Sequence, residues 1–285
     1  MVSSLRSLGE SLEAVDRLDR IVDPLHRVVV KVLRRGSVKD ALHGVWLGHP
    51  LHPLLTDLPI GFWTSASVLD LLGGRRGRQA ADAMVGLGVA SALPTAVAGL
   101  ADWSELNRPE RRSGVVHAGM NLTATVLYAT SFLERRAGRR RTGVALALAG
   151  ATAATVGGFL GGHLTFSRGA GVNHAKEAPS DTRWNELALE GTPTRDRASR
   201  AHLDDAVLAV VDTNAGPAAI FARCSHLGGP LDEGEVLDGC IRCPWHQSTF
   251  RIADGAVVHG PATAPQPAYE VKAHDGTLRA RRRSL

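Results

Sequence analysis

The chain has 285 residues and a net charge of +5, with 33 Lys and Arg residues against 28 Asp and Glu. This length allows two domains of roughly 100–200 residues each, and a hydrophobic content of 44% excludes a disordered or collagen-like chain. Three cysteines are too few for a disulfide scaffold, and an aromatic content of 5% without basic–aromatic interleaving gives no support to nucleic-acid binding. Residues 1–183 hold 22 basic and 15 acidic side chains against 11 and 13 in residues 184–285, so the basic excess lies in the first part.

The first 53 residues form an amphipathic, basic region that predicts helices rather than a membrane span. Apolar side chains from Leu5 to Leu25 recur at three- and four-residue spacing, with charged residues between them. Such a helix either packs on its own domain or lies on an anionic lipid surface. Charges run through the first 20 residues without an apolar core segment, so we expect no cleavable signal peptide.

Four apolar segments follow, and each approaches the ~20 residues that a helix needs to cross a bilayer. Small residues dominate the second and fourth segments, which allows close helix contact in lipid. A soluble bundle would need a polar stripe on each helix, and the fourth segment has none. The sequence therefore predicts a four-span membrane domain over residues 54–164, with spans at 54–72, 80–100, 115–133 and 142–164.

A linker at residues 165–183 precedes residues 184–285, whose residue pattern differs from that of the apolar segments. Short apolar runs alternate there with turn signals such as Asp254-Gly255. Evenly spaced short strands of this kind predict a small all-β domain, and about 100 residues are enough for one compact core.

Two short boxes in the β domain carry the candidate chemistry. Cys224 and His226 form a C-x-H box, and Cys243 and His246 form a C-x-x-H box a short distance further along the chain. Two thiolates and two imidazoles fill either a tetrahedral zinc site or a 2Fe–2S cluster with Cys on one iron and His on the other. One Cys and one His in each box favours the cluster. Cys240 forms C-x-x-C with Cys243, and we interpret it as a passive thiol on a strand.

The boxes resemble those of the Rieske iron–sulfur family, and the resemblance extends over residues 184–283. It implies that Cys224 and Cys243 hold one iron and that His226 and His246 hold the other, with the imidazoles exposed at the tip. It also covers the residues around the cluster, which are Gly229, Pro230, Trp245, Ser248 and Phe250.

Departures from the family's high-potential members narrow the expected role. Those members carry an extra Cys in each box, joined as a disulfide, where this chain has Gly229 or its neighbour and Trp245. They also carry a Tyr where this chain has Phe250, whereas the hydroxyl of Ser248 remains for a bridging sulfide. Fewer donors to the sulfurs predict a lower potential. Only the short stretch 247–285 follows His246, so we do not expect a complete ring-hydroxylating oxygenase.

The stretch at residues 49–61, the four spans and a final Gly161-Gly-His163-Leu resemble an uncharacterised bacterial membrane family, some of whose members end in a Rieske domain. The predicted spans bring four histidines to the membrane face from which the Rieske domain emerges: His49, His52, His117 and His163. They are candidate ligands for haem or a metal, or proton-handling groups at a quinone site. The alternative is interface histidines that cap helices.

Together these features predict a multi-pass protein of the bacterial cell membrane that carries one electron between a quinone or haem donor and a partner protein. A redox sensor or scaffold without steady electron flux is the alternative. Residues 201–278 hold ten acidic and four basic side chains, which favours a partner with a basic docking face.

The side of the membrane that holds the Rieske domain is the subject of two opposed arguments. The basic first and third loops favour an external domain. The resemblance implies assembly of the cluster in the cytoplasm, so an external domain would have to cross already folded, and no cleavable export signal precedes it. Arg140-Arg141 before the fourth span weakly matches a twin-arginine signal. On balance we expect an external domain.

Overall fold

The computed structural model describes residues 2–274 and 276–283 and divides into two compact units. The helical unit consists of Met1–Arg34 and Leu51–Ala170, and the β unit of Arg35–Pro50 and Gly171–Leu285. The prediction of a helical region joined to a small all-β domain is confirmed. The α-helices of the described residues are α1 Val2–Glu13, α2 Asp19–Val32, α3 Ser37–His43, α4 Leu51–Leu72, α5 Arg78–Trp103, α6 Arg108–Arg136 and α7 Arg140–Gly162.

Two helical hairpins, α4–α5 and α6–α7, form the centre of the helical unit. Glycines let aromatic rings approach the facing helices: a Cβ on Gly88 would lie 2.2 Å from Nε1 of Trp63, and one on Gly150 would lie 3.0 Å from the ring of Tyr128. The rings of Trp63 and Tyr128 stack with centres 4.2 Å apart. Small residues inside the bundle are typical of helices that pack in lipid, where close backbone approach replaces the hydrophobic effect.

Two helical stretches, Arg78–Trp103 and Arg140–Ser167, are long and apolar enough to cross a membrane, each with a mean hydropathy of 1.7 over its most apolar part. The second of them continues α7 through a π-helical turn, His163–Ser167. Helices also cover the other two predicted spans, but α4 and α6 contain more polar residues. Pro109 lies in the first turn of α6 and Arg135 and Arg136 in its last, as suits the ends of a helix.

Helices α1 and α2 of the amphipathic N-terminal region pack on the hairpins of the helical unit. Val22 and Val29 of α2 form an apolar cluster with Trp103 of α5. The guanidinium of Arg112 makes two 2.7 Å hydrogen bonds to the carboxylate of Asp19. Val22 and Val29 of α2 therefore face protein, as the first interpretation expects, whereas Ile21 and Val28 of the same helix are exposed.

The β unit contains a closed antiparallel barrel and a separate four-stranded sheet. The barrel has the strand order β1-β10-β9-β4-β3-β2, and the sheet has the order β5-β6-β7-β8. The strands are β1 Asn185–Leu189, β2 Ser199–Leu203, β3 Ala206–Thr213, β4 Gly216–Phe221, β5 Glu235–Leu237, β6 Cys240–Arg242, β7 Thr249–Arg251, β8 Val257–His259, β9 Ala268–His274 and β10 Thr277–Arg282.

Apolar side chains between the barrel and the small sheet form a core that reaches the cysteine-containing loops. Ile220 from the barrel packs in one cluster with Ile241 and Phe250 from the sheet, and Cys224 and Cys243 belong to the same cluster. Cross-strand pairing places Ile241 directly opposite Phe250. The base of the two loops is therefore anchored in a rigid, water-excluding core.

Candidate metal centre

The two Cys/His boxes form loops with the same backbone pattern. In the first loop, residues 224–229, the N–H of Cys224 donates to the carbonyl of Gly229 and that of Gly228 to the carbonyl of Cys224, both at 2.9 Å. In the second loop, residues 243–248, Cys243 bonds to Ser248 and Gln247 to Cys243 in the same way, again at 2.9 Å. The sequence predicts the boxes, but this shared geometry is visible only in the structure.

Matching positions of the two loops adopt a left-handed backbone. Gly228 has a φ of 76° and Gln247 a φ of 60°. Glycine adopts this conformation without a steric penalty, whereas a glutamine there is uncommon and requires support from its surroundings. The backbone thus turns back at the same point in both loops, after each has presented its cysteine and histidine.

The four candidate ligands gather as two like pairs. The side chains of Cys224 and Cys243 are in hydrogen-bond contact and are 1% and 2% exposed. The ring centres of His226 and His246 lie 5.1 Å apart. In the described part of the chain, no three His, Cys, Asp or Glu side chains gather around one point. Paired thiols and paired imidazoles suit two irons better than one tetrahedral zinc, which needs four ligands at one centre.

A buried nitrogen of His226 tests whether these residues fit a cluster. Its Nδ1 has no hydrogen-bond partner among the described residues. Buried polar atoms are almost always bonded, so a nitrogen left in this state suits a metal ligand. Burial lowers the pKa of His226 well below its usual value, which keeps the imidazole in the neutral form that binds metals.

The second cysteine lies in surroundings that favour its thiolate. The hydrogen bond from Cys224, with the backbone N–H groups of Trp245 and His246, outweighs burial and lowers the pKa of Cys243 to about 7. Backbone N–H groups of His226 and Leu227 point at the sulfur of Cys224 in the same manner. Donors aimed at cysteine sulfurs stabilise negative charge on a thiolate-bound cluster.

The residues predicted around the cluster line the two loops. A Cβ on Gly229 would lie 2.7 Å from Sγ of Cys243, so only glycine fits there, and Pro230 follows it at the end of the loop. Ser248 is fully buried, and its Oγ accepts the N–H of Ala262 at 3.0 Å, which leaves the hydroxyl proton to donate. Phe250 is fully buried without a hydroxyl, whereas the ring of Trp245 is 56% exposed.

The short segment Arg35–Pro50 belongs to the β unit, although the sequence groups it with the N-terminal helices. Nη1 of Arg35 donates to the carbonyl of His246 at 2.9 Å. The carboxylate of Asp40 accepts the N–H of Gly260 at 2.9 Å and pairs with Nδ1 of His259 at the same distance. The sequence gives no signal for the contact between Arg35 and His246, because Arg35 is one of several basic residues in its stretch of the chain.

The four histidines grouped by the sequence fall into three different settings. His52 and His117 come together, with ring centres 6.3 Å apart. Nε2 of His163 instead bonds to a carboxylate oxygen of Glu13 at 2.9 Å in the helical unit. His49 is an exposed residue of the β unit. Two of the four histidines are therefore placed for a shared site.

Comparison with known proteins identifies both regions of the chain. Residues 183–270 match the family model described as "Rieske [2Fe-2S] domain", and residues 48–174 match "Predicted membrane protein (DUF2231)". The anthranilate 1,2-dioxygenase ferredoxin subunit of Burkholderia cepacia is 32% identical over 95 residues, which cover 33% of this chain and 88% of that protein. The cytochrome bc1 complex Rieske iron-sulfur subunit of Streptomyces lividans is 38% identical over 64 residues, which cover 22% of this chain and 38% of that protein.

Among solved structures, the ferredoxin of Sphingomonas yanoikuyae B1 matches with 23% identity and a TM-score of 0.32, covering 35% of this chain and 98% of that one. An all-β unit whose paired loops each bring one Cys and one His defines an iron–sulfur protein of mixed ligation. The chain belongs to the Rieske [2Fe-2S] family, and its cofactor is a 2Fe–2S cluster. When bound, the cluster supplies one-electron redox chemistry, and the protein sets its potential and access.

Proposed function

We propose that the protein is a membrane-anchored Rieske electron carrier, which transfers single electrons between a donor in the membrane and a partner protein. The observation that carries the proposal is the pair of matching loops with a buried, unbonded Nδ1 on His226. Similarity to a ferredoxin subunit and to a cytochrome bc1 subunit supports electron transfer by this domain. The redox sensor without steady flux stays the second candidate.

Cys224 and Cys243 are the proposed ligands of one iron, and His226 and His246 those of the other. The contact between the two thiols and the 5.1 Å between the ring centres support this pairing. Backbone donors at both sulfurs and the hydroxyl of Ser248 then set the potential. These side chains hold the metal and its charge, while the core beneath the loops excludes water.

The proposed anchor is the whole set α4–α7, inserted as four spans in a bacterial cell membrane. Large apolar side chains of α4 and α6 point outward as well as those of α5 and α7, including Leu58 and Ile60 on α4 and Leu122 and Val126 on α6. An apolar exterior over small, tightly packed interior residues suits lipid contact. The charged residues of α6 lie near its two ends, and the exposed hydroxyls of Thr123 and Thr130 bond to backbone carbonyls of the same helix.

The proposed partner carries a basic docking face. Residues 201–278, the stretch that contains both cluster loops, hold ten acidic and four basic side chains, and this local negative charge would attract a positive partner and speed its approach. The relative from Burkholderia cepacia is named as the ferredoxin subunit of a dioxygenase, which supports a partner protein as the electron acceptor.

The test is electron transfer by the full chain, purified in detergent. We expect the dithionite-reduced protein, freed of excess reductant, to reduce cytochrome c, a basic one-electron acceptor, with a rate that falls as salt is added. Retention of the electron by the protein over many minutes would favour the sensor. A rate independent of salt would contradict the basic docking face while leaving electron transfer intact.

A further inference from the structure

The helical unit contains an internal repeat. His52, Trp63 and Asp70 of the first hairpin each lie 65 positions before a counterpart in the second hairpin, which are His117, Tyr128 and Arg135. Each residue lies beside its own counterpart. The ring centres of the two histidines are 6.3 Å apart, the rings of Trp63 and Tyr128 stack with centres 4.2 Å apart, and Asp70 and Arg135 form an ion pair. Three self-matching contacts place an approximate two-fold axis between α4 and α6.

The second helix of each hairpin follows the same repeat. Gly88 and Gly99 of α5 each lie 62 positions before Gly150 and Gly161 of α7. A Cβ on Gly99 would lie 2.7 Å from Cε1 of His52, and one on Gly161 would lie 3.0 Å from Cε1 of His117. Both histidine rings therefore press on a glycine of the neighbouring helix, in equivalent settings.

Backbone carbonyls fix the tautomer of both histidines. Nδ1 of His52 lies 2.9 Å from the carbonyl oxygen of Thr95, and Nδ1 of His117 lies 2.7 Å from that of Gly157. A carbonyl only accepts, so both Nδ1 atoms carry the proton and both Nε2 atoms carry a lone pair. A carbonyl bond at one ring nitrogen is the arrangement that orients histidines for metal binding at the other.

Neither lone pair is used by a hydrogen bond in the ring plane. Nε2 of His52 has no hydrogen bond among the described residues. The amide nitrogen of Asn121 lies 3.3 Å from both ring nitrogens of His117, and this equal distance places it over the face of the ring. Each of the two equivalent imidazoles thus has an Nε2 atom whose lone pair is free for a ligand bond.

We propose that His52 and His117 are the axial ligands of a haem, one on each side of the iron. Metal–imidazole bonds of ~2.1 Å on both sides place two ring centres about 6 Å apart, and the observed separation is 6.3 Å. No third His, Cys, Asp or Glu side chain joins them in the described part of the chain. A bare metal would lack ligands there, whereas a haem brings four equatorial nitrogens and needs two more. Helix bundles commonly hold cofactors between facing helices in this way.

This inference goes beyond the proposed function, because it stands on the helical unit alone, and one spectrum tests both separately. The full chain is produced with a haem precursor and purified in detergent. We expect one haem per chain by pyridine haemochrome assay and the sharp visible bands of six-coordinate low-spin haem after reduction. Ring planes at 87° to each other predict a ferric EPR signal with a large maximum g value. The cluster gives its own EPR signal in the same sample.

Variants assign the ligands. His52→Ala and His117→Ala are expected to lower the haem content to background, while His49→Ala, at an exposed histidine, keeps it. His117→Met retains a possible axial ligand, so we expect bound haem with a shifted visible spectrum, which a structural histidine would not produce. A wild-type sample with cluster but no haem, including one with bound quinone instead, overturns the inference and leaves the proposed function standing. Haem that survives both alanine variants also overturns it.

Discussion

The proposed sites of the β unit and of the helical unit are both formed by a structural repeat, at different scales. In the β unit, the second loop repeats the first, so that Cys224, Gly228 and Gly229 correspond to Cys243, Gln247 and Ser248. In the helical unit, the second hairpin repeats the first, and their equivalent side chains meet across the bundle. Each repeat supplies half of the proposed site, and the proposed site lies where the two halves meet.

The difference between the units lies in what fixes the side chains. Backbone hydrogen bonds inside each loop orient the cysteines, and backbone N–H groups point at their sulfurs. In the helical unit, a neighbouring helix fixes each histidine through one carbonyl and one glycine. A substitution in a loop is therefore expected to affect a single ligand. A substitution in the bundle is expected to affect the contact between two whole helices.

The largest expected effect is loss of the cluster in ligand variants. Cys243→Ser and His226→Ala each remove a proposed ligand, so we expect the EPR signal of the reduced protein to disappear along with bound iron and acid-labile sulfide. Cys240→Ser is the matched control, because this thiol lies on β6 outside the two loops. A zinc-loaded wild type without iron, or an unchanged signal in Cys243→Ser, would show that the ligand assignment is wrong.

The cluster boxes could be predicted from the sequence because each lies within one short loop. Cys224 and His226 are two positions apart, so a motif reveals them without a fold. His52 and His117 are far apart in the chain, and only the constant offset shared by Trp63 and Tyr128 could have exposed the repeat. The contact between Arg35 and His246 joins residues even farther apart, and neither periodicity nor spacing carries a signal for it.

The charges at the far end of the hairpins also depend on the fold. Arg135 and Arg140 read as part of a basic loop, yet both make ion pairs with Asp70 and Asp82. The composition of the sequence predicts the spans and their small-residue faces. It does not predict which charged residues pair between helices. The basic character of that loop is therefore weaker than a count of its arginines indicates.

The second prediction concerns the side of the membrane on which the β unit lies, and the reporter is either active or inactive there. We expect a reporter that is active only outside the cytoplasm to be active when fused after Leu285. Arg140→Lys with Arg141→Lys is expected to abolish that activity if the pair acts as an export signal. Lysine at position 140 retains a cation for Asp70 and Asp82, so the change tests the signal rather than the ion pairs. Activity of a cytoplasm-only reporter at the same junction would place the β unit inside.

Next in size is the effect of breaking the buried ion pair between the hairpins. The side chain of Arg135 is fully buried, and its Nη1 donates to Asp70 at 2.9 Å and to Asp82 at 3.0 Å. Asp70→Asn leaves this arginine with one carboxylate, so we expect unfolding in detergent to become easier by about 3 kcal/mol.

Two further variants connect this loss to the repeat. Arg139→Ala breaks an exposed pair with Glu134, which solvent screens, and should therefore change the stability far less than Asp70→Asn. The exchange Asp70→Arg with Arg135→Asp reverses charges at equivalent positions of the two hairpins. We expect it to recover part of the stability that Asp70→Asn loses. No recovery at all would argue against equivalence of the two positions.

A smaller effect is expected on the potential of the cluster, which should lie in the lower part of the ~ −150 to +300 mV range of Rieske centres. Ser248→Ala removes a hydroxyl donor, and Phe250→Tyr adds one at a buried position. A hydrogen bond of ~1 kcal/mol corresponds to about 40 mV for one electron. A redox titration should show a shift of this order downward for the first variant and upward for the second. Phe250→Leu, which adds no donor, is the control; a wild-type potential near the top of the range would contradict the argument.

The smallest expected effect tests the segment that joins the cluster loops from elsewhere in the chain. Arg35→Ala removes one charge-assisted hydrogen bond to the carbonyl of His246 at an exposed position, so we expect a loss of roughly 1 kcal/mol in the stability of the β unit. Loss of a cation near the loop should also lower the cluster potential slightly, because a positive charge favours the reduced state. Arg34→Ala is the matched control, since the guanidinium of Arg34 hydrogen-bonds to the nearby carbonyl of Lys31 and, among the described residues, makes no hydrogen bond to the cluster loops. Asp40→Ala removes contacts to Gly260 and His259 together and should have the larger effect of the two segment variants.

If Arg35→Ala and Arg34→Ala behave alike in both thermal unfolding and redox titration, Arg35 is not part of the cluster's surroundings. The cluster would then depend on its two loops alone.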